Sequence, residues 1–230
     1  MALQTKKILI LGGTKEAAEL AKELCKKGHD VTTSLAGRTK EPKPLEGKVR
    51  IGGFSSASQT GVLGLAEYIE DECFDLVIDA THPFAKQISE NAKIATNLSG
   101  TELEIKTRQP WKRVTGDIWI EVANLEEAKS VIPQNANILL ALGSKYIDIF
   151  EDCLNTHFLV RMVDEPQYPL RLPKHTLILG RPFIDVSREK EMLVENNITH
   201  IICRNSGGEG AYAKIIAARE LGMPVIIVSR

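Results

Sequence analysis

The residues of this chain that could do chemistry gather in short loops that follow apolar runs. The first, Leu11-Gly-Gly-Thr-Lys-Glu16, joins such a run to an amphipathic stretch. Glycines at 12 and 13 let the backbone approach a pyrophosphate, and a helix beginning after Thr14 offers free N–H groups and a partial positive charge. The third glycine of the GxGxxG spacing is missing, with Ala17 and Ala18 nearby, so the pair alone reads equally as an ordinary tight turn. The end of the second run bears on that choice. Dinucleotide sites for NAD usually place an acid there, whereas sites for NADP offer a cation. Here Thr33-Ser-Leu-Ala-Gly-Arg38 has no carboxylate, presents the Ser34 hydroxyl, and ends in an arginine suited to bidentate phosphate contact. The missing acid favours NADP, against the bland alternative of a solvated Arg38.

Two more loops follow the third and fourth runs, Gly52-Gly-Phe54 and Asp79-Ala-Thr-His-Pro-Phe-Ala85. In open parallel sheets ligands bind at the carboxyl ends of the strands. Gly52, Gly53, Phe54, Thr81, His82 and Pro83 therefore join Gly12, Gly13, Thr14, Ser34 and Arg38 as candidate cofactor contacts. His82-Pro83 also has a structural reading, because proline favours the first turn of a helix. Further along, Arg204-Asn-Ser-Gly-Gly208 precedes the helix holding Lys214. Glycines at a helix N-terminus, between those two cations, suit a carboxylate or phosphate.

The elements that must position these loops alternate in type. Periodicity predicts strands over Lys7–Leu11, Val31–Ser34, Val49–Ile51 and Leu76–Asp79, with helices over Lys15–Lys27, Leu63–Glu72 and about Phe84–Leu98. An aperiodic stretch, Thr107 to Asp117, then breaks the rhythm and marks a domain junction. Beyond it strands are expected over Ile118–Val122, Asn137–Leu142, His157–Val163, Thr176–Gly180, His200–Cys203 and Val225–Val228. Helices are expected near Leu125–Ile132 and Lys145–Cys153, and over Ser187–Asn196 and Ala211–Leu221. This pattern specifies an α/β fold of two Rossmann-like parallel-sheet domains, residues 1–107 and 108–230, with the active site in the cleft between them.

Composition closes off other classes. Of the 230 residues 43% are hydrophobic and 26% charged, a balance typical of folded soluble proteins. A net charge of −1 gives no general attraction to nucleic acid or membrane. The N-terminal apolar run is too short for a signal peptide or a span, so a cytoplasmic location is the default. Cys25, Cys73, Cys153 and Cys203 form no CxxC or Cys/His cluster; no metal site is expected, and each reads as a small core residue. None of Tyr68, Tyr146, Tyr168 or Tyr212 has a lysine four residues later, which excludes the short-chain dehydrogenase pair.

Taken together, these segments resemble the precorrin-6A reductase family. The matching stretches are Gly12-Gly-Thr with Glu16-Ala, Ser34 to Arg38, Gly52-Gly-Phe54, Ile78 to Ala85, Arg108 to Trp111 with Asp117-Ile-Trp119, Asn205 to Gly208, Ala213-Lys214 and Ala217 to Gly222. They run in the family's order over almost the whole chain. Ser55-Ser56 stands where family members often have two more glycines, and Arg204 where they often have lysine. The resemblance implies NADPH-dependent reduction of one double bond of precorrin-6A, or of its cobalt form, to the 6B product in cobalamin biosynthesis. Hydride chemistry belongs to the cofactor, so the protein supplies position and electrostatics. The substrate, a tetrapyrrole edged with carboxylates, would meet basic and aromatic side chains. The candidates are Arg108, Trp111, Lys112, Arg113, Arg161, Arg204 and Lys214, with Asn205, Ser206, Gly207 and Gly208; Trp119 reads as core. His82 is the candidate catalytic acid, having an ordinary pKa near ~6.5. Its rival role is to position cofactor or substrate while water supplies the proton. The competing reading of the whole chain is a non-enzymatic NADP-sensing regulator on the same fold.

Overall fold

The computed structural model describes residues 4–37, 42 and 44–230, and divides the chain into two compact units meeting between Arg108 and Gln109. The first unit contains β1 (Lys7–Leu11), α1 (Lys15–Lys26), β2 (Asp30–Leu35), β3 (Lys48–Ile51), α2 (Gly61–Asp71), β4 (Leu76–Asp79), α3 (Lys86–Ser99) and β5 (Glu102–Ile105). Its strands are all parallel in the order β3-β2-β1-β4-β5. Alternate residues of β1 feed two cores. Leu9 and Leu11 pack with Leu65, Ile69 and Ala92 on one face, and Ile8 and Ile10 with Ala17, Ala21 and Val31 on the other. A sheet covered on both faces needs strands apolar throughout, and this is why β1 reads as a continuous run.

The second unit contains β6 (Trp119–Val122), α4 (Leu125–Ser130), β7 (Asn137–Ala141), two 3₁₀ turns (Ser144–Tyr146 and Asp148–Phe150), β8 (His157–Met162), β9 (His175–Leu179), α5 (Val186–Glu195), β10 (His200–Arg204), α6 (Ala213–Glu220) and β11 (Val225–Val228). Its sheet is also parallel, in the order β6-β11-β10-β7-β8-β9. Trp119 is buried in its core with Leu139, Leu159, Ile201 and Ile215. Among the described residues no helix is long and apolar enough to cross a membrane.

Two expectations are corrected and one strand is added. The helix expected over Lys145–Cys153 is the pair of 3₁₀ turns. Ile147 and Phe150 lie three apart, and a three-residue turn stacks them so that both are fully buried. Strand β5 gave no sequence signal, because Glu102-Leu-Glu-Ile105 is a short edge strand with mostly exposed side chains. Only Cys203 is a fully buried cysteine, and Cys73 is exposed in the turn after α2.

Candidate functional site

The strand order of the first unit places a topological switch at β1/β4. From β1 the chain runs outward through β2 and β3, then returns to build β4 and β5 on the other side. The loops after β1 and β4 therefore diverge, leaving a crevice at the carboxyl ends of the strands. Gly12 donates its N–H to the Ser34 carbonyl at 2.9 Å, and a Cβ on it would meet Thr33 Cγ2 at 2.7 Å. Gly13 adopts φ +106°, with open space where a side chain would be. Thr14 ties the two diverging loops together. Its hydroxyl donates to the Ala80 carbonyl at 2.9 Å and accepts from the Ala17 N–H, capping α1. The turn thus presents bare backbone and a helix N-terminus to the crevice.

The loop after β4 is ordered from within. Buried Asp79 accepts from the Thr81 N–H at 3.0 Å and from its hydroxyl at 2.7 Å. His82 Nδ1 accepts from the Phe84 N–H at 3.2 Å, which ties the ring to the backbone of its own loop. Pro83 lies between them, one turn before α3 begins.

Arg38 lies outside the described residues. Sequence reasoning passed over another cation at this edge, Arg50. In β3 it pairs in register with Ser34. Its guanidinium donates to the Gly52 and Gly53 carbonyls at 2.8 Å each and lies 3.9 Å from the Phe54 ring centroid. Gly52-Gly53-Phe54 is therefore folded around Arg50. The available signal was an arginine two residues ahead of a glycine pair at a strand end. Arg108, expected at the substrate, stands in the first unit beside Glu16 in the first turn of α1, 3.5 Å away.

In the second unit the Arg204–Gly208 loop acts as a clasp. Asn205 Oδ1 accepts from the Trp111 N–H at 2.7 Å, and its Nδ2 donates to the Trp111 carbonyl at 3.0 Å. Trp111 Nε1 donates to the Gly208 carbonyl at 2.7 Å. Gly207, at φ +66°, has no room for a side chain, because its Cβ would lie 2.1 Å from the Gln109 carbonyl oxygen. Arg230 donates to the Asn205 and Ser206 carbonyls. The Asn205 amide, expected to hold substrate, is thus committed at both ends to backbone. Lys112 is exposed, while Arg113 donates to the Asp117 carbonyl.

Arg161 is likewise held inside. It is buried in a bidentate pair with Glu189, Nη1 lying 2.8 and 3.0 Å from the two carboxylate oxygens. Glu189 also accepts from the Phe183 N–H at 3.0 Å. The sequence marked Arg161 as a ligand contact; the structure commits its Nη1 to Glu189, while Nη2 is buried without a hydrogen-bond partner among the described residues. Lys214 is 4% exposed, donates to the Ala211 carbonyl and lies 4.9 Å from the Trp111 ring centroid. Burial pushes its amine below the usual lysine value. Arg204 lies face-on to Tyr146, 3.6 Å from the ring centroid. Among the described residues no group of His, Cys, Asp and Glu could hold a metal ion.

Comparison with known proteins agrees with this architecture. The family model described as precorrin-6x reductase CbiJ/CobK matches residues 7–230. The chain is 42% identical over 225 residues to precorrin-6A reductase of Rhodobacter capsulatus, covering 97% of this chain and 88% of that relative. It is 41% identical over 232 residues to precorrin-6A reductase of a Sinorhizobium species, covering 100% and 87%. A solved structure titled CobK precorrin-6A reductase superposes with a TM-score of 0.92 at 42% identity, covering 98% of this chain and 88% of that one.

Proposed function

Because this chain belongs to the precorrin-6x reductase family, we propose that it uses NADPH to reduce one carbon–carbon double bond of precorrin-6A, or of its cobalt form, in cobalamin biosynthesis. The observation that supports the cofactor is the cradle at the β1/β4 switch point. Gly12 has no room for a side chain, Gly13 is bare, and α1 opens directly behind them. Such a cradle fits a pyrophosphate held by backbone N–H groups and the helix dipole. Ser34, Gly52, Gly53 and Phe54 line the β2/β3 side, Thr81, His82 and Pro83 the β4 side, and Arg38 follows β2 as the 2′-phosphate contact. NADPH, when bound, supplies the hydride. The protein fixes the reacting partners and excludes competing reactions. In the second unit Arg204 and Lys214, with the Trp111 ring, are the side chains we assign to the carboxylate-edged macrocycle.

The test offers NADPH with and without each form of the macrocycle and follows NADPH absorbance. Oxidation only when a macrocycle is present is the expected result; NADPH bound but never oxidised would sink the reading.

His82 is assigned to positioning, since its Nδ1 is engaged by the Phe84 N–H. His82→Ala should raise the KM for NADPH by about tenfold, the scale of one hydrogen bond, and leave kcat at saturating NADPH within about twofold. Steady-state kinetics check this, and a collapse of kcat alone would restore His82 as the acid.

A further inference from the structure

Reduction of a double bond needs a proton as well as a hydride, and the second sheet offers a donor that the sequence motifs do not. Its strand order contains its own topological switch. From β7 the chain goes outward to β8 and β9, then crosses back to place β10 on the other side of β7. The loops after β7 and β10 diverge at the carboxyl edge, where parallel sheets bind ligands. Tyr146 stands on the first of these, in the 3₁₀ turn Ser144–Tyr146, and Arg204 ends β10 beside the second.

The geometry around the phenol is specific. The ring is half-buried, and a Cβ on Gly143 would sit 3.7 Å from it. The Arg204 guanidinium lies 3.6 Å from the ring centroid, and the Lys145 ammonium lies 5.0 Å from it. Lys145 comes from the same turn and Arg204 from β10; among the described residues these are the charges identified as acting on the phenol. Burial acts to raise its pKa, but the two cations outweigh burial and hold it below the usual phenol value. A tyrosine flanked by cations is a stronger acid than tyrosine in water, because the phenolate left behind is stabilised.

We propose that Tyr146 is the proton donor of the reduction, a role that rests on the reductase reading above. As the hydride bonds to one carbon of the double bond, the π pair takes the phenolic proton at the other carbon. The Tyr146 O–H bond breaks, its electron pair stays on the oxygen beside Arg204 and Lys145, and water reprotonates the phenolate. In place of the tyrosine–lysine pairing excluded by sequence spacing, the phenol has its chain neighbour Lys145 and Arg204, which tertiary structure brings from β10.

Tyr146→Phe removes one oxygen from a half-buried ring and should fold as the wild type does, which circular dichroism verifies. Its kcat is expected to fall about 10²-fold with NADPH affinity unchanged, the typical effect of a general acid. The basic limb of the kcat profile should disappear. Independently of turnover, ultraviolet titration of tyrosinate should show one tyrosine ionising below the usual range in the wild type and missing from Tyr146→Phe. A variant with wild-type kcat, or one that leaves the low-titrating tyrosine in place, overturns the assignment of Tyr146 alone. A wild-type enzyme that reduces neither macrocycle overturns the reductase reading, and the proton-donor role with it.

Discussion

Arg161→Met is expected to lower the stability of the protein by about 3–5 kcal/mol, the usual effect of stranding one partner of a buried ion pair. Glu189, fully buried, would keep the Phe183 N–H of its two named hydrogen-bond partners, with the buried Lys214 amine the remaining cation acting near it. For a chain of this size each kcal/mol corresponds to roughly 2–4 °C, so the midpoint of thermal unfolding should fall by about 6–20 °C. Removing both charges separates desolvation from packing. Arg161→Met combined with Glu189→Leu should recover part of the loss, since apolar replacement of a buried pair is often neutral. Recovery stays incomplete because the Phe183 N–H then lacks its acceptor, at about 1–3 kcal/mol. Calorimetry of the two variants decides between roles. A single variant that melts like the wild type yet loses the macrocycle would make Arg161 a ligand contact after all.

Gly12→Val should weaken NADPH binding severely without unfolding the first unit. The valine Cβ would lie 2.7 Å from Thr33 Cγ2, and Thr33 is fully buried in β2 with nowhere to retreat. The turn must therefore lift, breaking the bond from the Gly12 N–H to the Ser34 carbonyl and moving the start of α1. Losing two charge-assisted hydrogen bonds to a pyrophosphate, at about 1.5–3 kcal/mol each, weakens binding by roughly 10²–10⁴-fold. Fluorescence titration with NADPH reads this directly, and an unchanged far-ultraviolet spectrum shows that the fold survives. Gly12→Val with wild-type affinity would move the pyrophosphate away from this turn.

Features of local structure that follow from local rules are legible in the sequence alone. The Gly12-Gly13 turn, the continuous apolar strands and the alternation of strand and helix all follow from backbone freedom and hydrophobic periodicity, which act over a few neighbouring residues. The edge strand β5 escaped, because its stability comes from pairing with β4 rather than from an apolar pattern of its own. The turn at Ile147 and Phe150 escaped because spacings of three and four look alike in so short a segment.

At the site the division is sharper. Sequence by itself determined that glycine-rich and histidine-containing loops end the strands, that the β2 end has no acid, and that basic residues flank the second glycine pair. Tertiary structure alone decided which partner each of those groups takes. It closed the Asn205 amide on Trp111 and Arg161 on Glu189, folded Gly52-Gly53 around Arg50, and set Arg204 against Tyr146 from 58 positions away. The physical reason is that a charge or amide takes its meaning from its partner. Partners across a parallel sheet are fixed by strand order, which no local pattern encodes.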